Sequence, residues 1–459
     1  MIIIDKALRA REAQGRPIRV GMIGAGFMGQ GLTNQIVTSV PGMQMSAVYN
    51  RHPERAFHVY RYAGLDNVIS ADSQGAVDHG IRRGTGVVAE DPFTICRSSE
   101  IDVVVDVTGS VEFGAHVILE AFKFGKPVVL MNAEVDSTIG PILRVYAKKY
   151  GVILSACEGD EPGVQMNLCR WVKGLGLIPR AIVNVKGLQD PYRNPTTQAA
   201  WAERWGQNAA MVTSFADGSK ISFEQSIVAN ATGFRVRSRG MSRGINYDGS
   251  IMEIQKLYDI DELRALAGIV DYTVGPALIK AFCLAEHPDP KQRHYLNLYK
   301  MGEGPLYPFW IPYHLVHFEA PNAIARVVLF GDEIAPPLGG PVVEVCAVAK
   351  RDLKVGEVLD EYGMYMTYGE AANVDEMSAR RYLPEGLVED CKLKRDIRKD
   401  DVLTYEDVEL PAGRLADQLR AEQYRHFRGE TWLEERTQPS RNVDNPRNGF
   451  QIKSHPSVP

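Results

Sequence analysis

Residues 17 to 29, Pro-Ile-Arg-Val-Gly-Met-Ile-Gly-Ala-Gly-Phe-Met-Gly, constrain this chain more than any other stretch. Ile18, Val20, Met22 and Ile23 read as a short buried strand, and Gly24, Gly26 and Gly29 follow in G-x-G-x-x-G spacing. The first glycine permits a tight turn, the second lets backbone approach a pyrophosphate, and the third lets the next helix pack on the strand. A helix opening at Phe27 and Met28 offers free N–H donors and a positive dipole end to the phosphates. Glycine spacing alone is weak evidence. Here a strand precedes it, an amphipathic segment with Leu32, Ile36 and Val37 follows, and a second strand ends about 21 residues on. That context makes a dinucleotide site, with Gly24, Gly26, Phe27, Met28 and Gly29 as its contacts.

The second strand selects the dinucleotide. It runs Met45-Ser-Ala-Val-Tyr49 and ends in Asn50-Arg51-His52-Pro53, with Arg55 one helical turn on. An NAD site usually places an acid here to accept from the ribose 2′-hydroxyl. A neutral Asn50 followed by guanidinium groups suits the 2′-phosphate instead, because an acid repels it and arginine pairs with it bidentately. The alternative is that Arg51 and Arg55 are solvated loop residues. NADPH is the expected cofactor.

A net charge of −5 leaves no basic footprint, so nucleic acid is not an expected partner. Cys96, Cys157, Cys169, Cys283, Cys346 and Cys391 are scattered without a C-x-x-C or Cys/His cluster, which points to a reducing compartment and away from structural zinc. The amino terminus turns charged at Asp5, too early for a signal peptide, and no apolar run approaches the roughly 20 residues of a membrane span. A cytoplasmic protein without membrane contact is expected.

In chain order, residues 2 to 14 predict a helix, and the glycine-rich stretch 61 to 90 a helix with an insertion. Ile101 to Thr108 is an apolar strand, and Gly109 follows where a nicotinamide half would lie. A helix over 111–124, a strand to Asn132, a helix over 138–149 and a strand over 152–156 complete an alternating pattern. Strands and helices in this order predict an α/β protein with a Rossmann-type doubly wound parallel sheet. Thr108, Gly109 and Asn132 join the cofactor contacts. Beyond residue 157 the pattern becomes a second, mixed α/β unit, with strands over 181–186 and 227–231. Helices follow near 251–267 and 273–286, then an extended aromatic loop over 307–314. Lys350-Arg-Asp-Leu-Lys-Val-Gly-Glu-Val-Leu359 recurs 44 residues later as Lys394-Arg-Asp-Ile-Arg-Lys-Asp-Asp-Val-Leu403, marking a small β-rich module. The expected boundaries are 1–160, 161–344 and 345–430, with 431–459 a polar, flexible tail.

Residues 17 to 160 resemble the cofactor domain of homoserine dehydrogenase-like oxidoreductases. The whole arrangement, with 345–411 similar to a SAF domain, resembles the 1-deoxy-D-xylulose 5-phosphate reductoisomerase-like enzymes. That resemblance implies conversion of a sugar phosphate to 2-C-methyl-D-erythritol 4-phosphate with NADPH, in isoprenoid biosynthesis, by a homodimer. One departure bears on activity. Homoserine dehydrogenases carry Ala-Asn-Lys where this chain has Met131-Asn132-Ala133, so homoserine chemistry by the usual lysine is not expected. A plain dehydrogenase for another small polyol, aldehyde or acid, and a non-catalytic NADP sensor, are the alternatives.

Three constellations suit a reductoisomerase, which must polarise vicinal oxygens and then protonate a reduced carbonyl. Glu158, Asp160 and Glu161 lie at a strand's carboxyl end and could hold Mg²⁺ or Mn²⁺, or else serve as helix N-terminal acids. Glu134 and Asp136 lie at the neighbouring strand end, where they could bind substrate or add ligands. Lys186, ending an apolar strand, can polarise a carbonyl, and the related dehydrogenases use a lysine in their substrate domain. Arg235, Arg237, Arg239 and Arg243 form a glycine- and serine-containing loop suited to a phosphate monoester, or to solvent. His314 and His317 could add a donor or close a lid.

Overall fold

The computed structural model describes residues 3–275 and 278–437. Seven parallel strands form the first sheet, in the spatial order Val68–Ala71, Gly86–Ala89, Met43–Tyr49, Ile18–Ile23, Val103–Asp106, Val128–Leu130 and Leu154–Ala156. Helices cover both faces, which is why these strands are apolar throughout rather than alternating. The strand order reverses between Ile18–Ile23 and Val103–Asp106, so a crevice opens at their carboxyl ends. The stretch 61–90 supplies two strands of this sheet and the helix Gln74–Arg82 between them.

The second sheet is mixed, ordered Leu306–Ile311, Ala281–Glu286, Ile178–Lys186, Ile269–Val274 and Ile245–Asn246. Four sequence expectations change here. Residues 273–286 hold parts of two strands rather than a helix, and the aromatic loop begins as the edge strand Leu306–Ile311. Residues 227–231 belong to the helix Ser219–Thr232, not to a strand. This helix is buried on every side, so its apolar run carries no amphipathic period to separate helix from strand. The expected helix over 251–267 is a 3₁₀ turn, Ile251–Leu257, and a short helix, Ile260–Ala265.

The carboxyl-terminal unit pairs Val343–Ala349 with Thr367–Asn373 and Lys392–Leu393 with Val408–Glu409. Its sequence repeat is a structural one. Leu353 donates to the Ile397 carbonyl at 2.8 Å and Ile397 returns the bond at 3.0 Å. Asp352 accepts from the Lys399 amide while Asp396 accepts from Val355, each at 2.9 Å, so the copies meet about a local two-fold. This unit has a core of its own, in which Leu353, Leu359, Leu383, Leu393, Ile397 and Leu403 pack together. A continuous apolar cluster runs from Ile18 and Met45 through Ile182 and Ile227 to Val343 and Ala371. The helix Leu415–Arg428 lies on the Rossmann helix Ala133–Tyr150. Trp432 packs edge-on against Tyr405 and Tyr424, so the first residues of the expected tail are packed, and 438–459 lie outside the described residues. Among the described residues no helix is long and apolar enough to cross a membrane.

Candidate active site at the junction of the two sheets

The glycine turn has the shape a pyrophosphate requires. A Cβ on Gly24 would meet Val107 at 2.9 Å, and one on Gly29 would meet the Gly24 carbonyl at 2.7 Å, so both are packing glycines. Gly26 is different: a Cβ there would meet no heavy atom within 4 Å. Gly26 also caps the helix Phe27–Ser39 without any side-chain hydrogen bond to the first-turn amides. Open space over uncapped N–H groups fits a bound dinucleotide. Asn50 accepts from the His52 amide at 2.9 Å, shaping the loop that leaves Arg51 and Arg55 exposed.

At the crevice's other side, Asp106 organises the loop that follows its own strand. Its Oδ1 accepts from the Thr108 amide and hydroxyl at 2.9 and 2.7 Å, and its Oδ2 from the Asn132 amide at 2.9 Å. Burial pushes its carboxyl up, and those donors oppose the shift. Asn132 also reaches the Ser110 carbonyl and caps the helix Ala133–Tyr150. It is thus a brace for the loop carrying Thr108 and Gly109.

Lys186 ends the strand Ile178–Lys186 with its ammonium 2.8 Å from Glu161 and 3.1 Å from Glu224. Both carboxylates have side chains 3% exposed, while the lysine side chain keeps 15%. Asn184, two residues earlier, also donates to Glu224 at 3.2 Å. His314 Nε2 lies 3.5 Å from Glu161. From the same helix as Glu224, Lys220 places its ammonium 3.0 Å from Glu134, at the start of the helix Ala133–Tyr150. Two buried lysines and their acids therefore join the cofactor sheet to the second sheet. Glu134 Oε2, Glu161 Oε2 and Asn184 Oδ1 have no hydrogen-bond partner among the described residues, so each retains acceptor capacity.

One lysine cannot neutralise two buried acids, and the cluster divides accordingly. Lys186 and His314 hold Glu161 below the usual carboxylate range despite its burial. Burial dominates at Glu224, and the charges of Glu161 and Asp160 add to it, raising its pKa to about 8. Lys186 is pushed upward by Glu161 and Glu224 against its own desolvation, and Lys220 by Glu134, Asp160 and Glu224. Neutral pH then favours two ammonium groups, an ionised Glu161 and a protonated Glu224.

Several candidates are not brought here. Glu158 faces away, bound by Arg326 at 3.1 Å and by Asn167 at 2.9 Å, so Glu158, Asp160 and Glu161 do not form a ligand set. No group of acids, histidines or cysteines among the described residues could hold a metal ion. Asp136 pairs with Arg144. The arginine loop follows a helix rather than a strand, and its charges are met by acids. Arg235 pairs with Asp375 at 3.3 Å and Arg237 with Glu262 at 3.0 Å. Arg239 and Arg243 share Glu370, at 2.8 and 3.6 Å. That loop is a seam with the carboxyl-terminal unit, not a converging phosphate site. His317 stands against Gly31 of the cofactor helix, and burial lowers its pKa. Sequence reasoning missed Lys220 and Glu224, whose i, i+4 spacing was the available signal once residues 219–232 were read as one helix.

Residues 18–131 match the model of the GFO/IDH/MocA oxidoreductase family, NAD-binding Rossmann fold, and residues 159–320 match that of oxidoreductase DRL, catalytic domain. No curated protein matches the chain. Among solved structures, a putative oxidoreductase from Klebsiella pneumoniae is 19% identical over 38% of this chain, which spans 44% of its length, with a TM-score of 0.25. A probable dehydrogenase from Thermotoga maritima is 13% identical over 70% of this chain and 90% of its own, at 0.39. A 3-ketoreductase from Actinomadura kijaniata, in complex with NADP, is 14% identical over 69% and 91%, at 0.37. The two matches cover most of the cofactor sheet and of the second sheet, and neither reaches residues 345–411.

Proposed function

With an oxidoreductase cofactor domain and an oxidoreductase catalytic domain as the premise, we propose that the protein is an NADPH-dependent reductase of a small hydroxy-carbonyl compound. The observation that carries this reading is the Lys186 ammonium held between two buried carboxyls, Glu161 and Glu224, whose surroundings push the first below and the second above the usual carboxylate range. Gly24, Gly26, Phe27, Met28 and Gly29 would hold the pyrophosphate, Arg51 and Arg55 the 2′-phosphate, and Thr108 and Gly109 the nicotinamide end. When bound, NADPH supplies a hydride. Lys186 stays charged and polarises the carbonyl oxygen. Glu224 gives its proton to that oxygen and is left as the carboxylate, then regains a proton from solvent. Asn184 orients Glu224, and Glu134 holds Lys220 beside it.

The specific reaction proposed is reductoisomerisation of 1-deoxy-D-xylulose 5-phosphate. Rearranging an α-hydroxyketone requires cationic contacts at two neighbouring oxygens, and Lys186 with Lys220 supplies two ammonium groups without a metal. The second reading, a dehydrogenase for an unphosphorylated polyol, aldehyde or acid, is favoured by the ion-paired arginine loop. The test is NADPH oxidation with this sugar phosphate, with and without Mg²⁺ or Mn²⁺, beside unphosphorylated hydroxyketones and aldehydes. Metal-independent turnover of the sugar phosphate is expected. Turnover confined to unphosphorylated compounds would replace the first reading by the second.

A further inference from the structure

The turn around Tyr362 belongs to the carboxyl-terminal unit, yet it ends inside the junction just described. The Tyr362 hydroxyl donates to the Gly109 carbonyl at 2.9 Å. Its ring meets Phe223 edge-on at 5.7 Å, and Phe223 precedes Glu224 on the helix carrying both acid and lysine. A Cβ on Gly109 would lie 3.0 Å from that hydroxyl. Gly109 has φ +72°, the left-handed region, so a glycine there serves both the turn and the close approach.

The turn is fixed from behind. Lys350 reaches the Met364 carbonyl at 2.7 Å and Asp217 at 2.8 Å. A Cβ on Gly363 would fall 2.3 Å from the Ala210 carbonyl, so the turn is pressed against the helix Ala209–Asp217. Burial holds the Tyr362 phenol well above its usual range, with the charge of Glu134 adding to it, so the group is a permanent donor.

Resting on the cofactor reading above, we propose that Tyr362 is a positioning residue for the nicotinamide half, through the Gly109 peptide it holds. The carboxyl-terminal unit is then part of the active site. One hydroxyl fixes the backbone beyond the cofactor strand Val103–Asp106, while the same ring fixes the helix that presents Glu224. This one side chain therefore touches both halves of the site.

The test uses the full-length protein and measures the dissociation constants of NADPH and of adenosine 2′,5′-bisphosphate, which lacks the nicotinamide half. Tyr362→Phe keeps the ring and removes the donor. NADPH is expected to weaken about threefold to tenfold, the worth of one neutral hydrogen bond. The adenosine fragment should bind unchanged. Tyr192→Phe, which removes a bond from the same unit to the chain after Lys186 (Tyr192 to Asp400, 2.9 Å), should change neither constant. Unaltered NADPH binding in Tyr362→Phe would overturn the proposal, and so would equal losses for both ligands, the mark of a purely structural role. If the wild-type protein bound neither ligand, the cofactor reading would fail instead.

Discussion

Lys186 shows how burial assigns chemical roles among identical side chains. Glu161 and Glu224 are both buried glutamates on one ammonium, yet only Glu161 has a histidine beside it as well. The first stays ionised and the second keeps its proton to about pH 8. We expect kcat/KM to fall as pH rises through about 8, and Glu224→Gln to lower activity and remove that limb. Stability carries the same signature. The native state binds the Glu224 proton from the unfolded carboxyl's 4.5 up to about 8, so stability should decline as pH rises across that window, and less so in Glu224→Gln. Lys186→Ala should reduce kcat by roughly 10²- to 10⁴-fold, measured beside NADPH affinity, which should hold. Arg51→Ala should weaken NADPH about 10- to 100-fold and NADH little, because only the former presents a 2′-phosphate. Equal losses for the two cofactors would remove the NADPH assignment.

At the scale of elements, the helix Leu415–Arg428 ties the chain's end to its beginning. Arg420 makes a two-fold contact with Glu344 at 2.8 and 2.9 Å, and Tyr424 donates to the same carboxylate at 2.6 Å. All three side chains are buried, so truncating the arginine strands a carboxylate. Arg420→Ala should cost about 3 to 5 kcal/mol, read as a fall in denaturant midpoint at unchanged slope. Elements differ in how well the sequence announces them. The strand Ile18–Ile23 and its glycines were legible because local spacing and function coincide there. The helix Ser219–Thr232 was not, because full burial erases the polar face by which a helix is recognised, and Lys220 and Glu224 went unnoticed with it. The arginine loop misled for the opposite reason: four guanidinium groups invite a phosphate, but their partners Asp375, Glu262 and Glu370 stand far away in sequence.

For the whole molecule, one apolar cluster joins the two sheets from Ile18 to Phe309. The carboxyl-terminal unit has its own core around Leu353, Leu393 and Leu403 and is tied to the rest by buried contacts such as Lys350 with Asp217 at 2.8 Å. Calorimetry should show one cooperative transition whose calorimetric and van't Hoff enthalpies agree; an early peak for residues 345–430 would contradict this. The sequence by itself determined the dinucleotide turn, the parallel cofactor sheet and the carboxyl-terminal repeat, because each rests on spacing within one short stretch. Lys186 and Glu134 were candidates from the sequence, but tertiary structure alone decided how the proposed catalytic set assembles and brought Lys220 and Glu224 into it. Glu134, Lys186, Lys220 and Glu224 come from three elements distant along the chain, and their protonation states follow from burial and mutual charge, quantities that exist only once the two sheets have closed on one another.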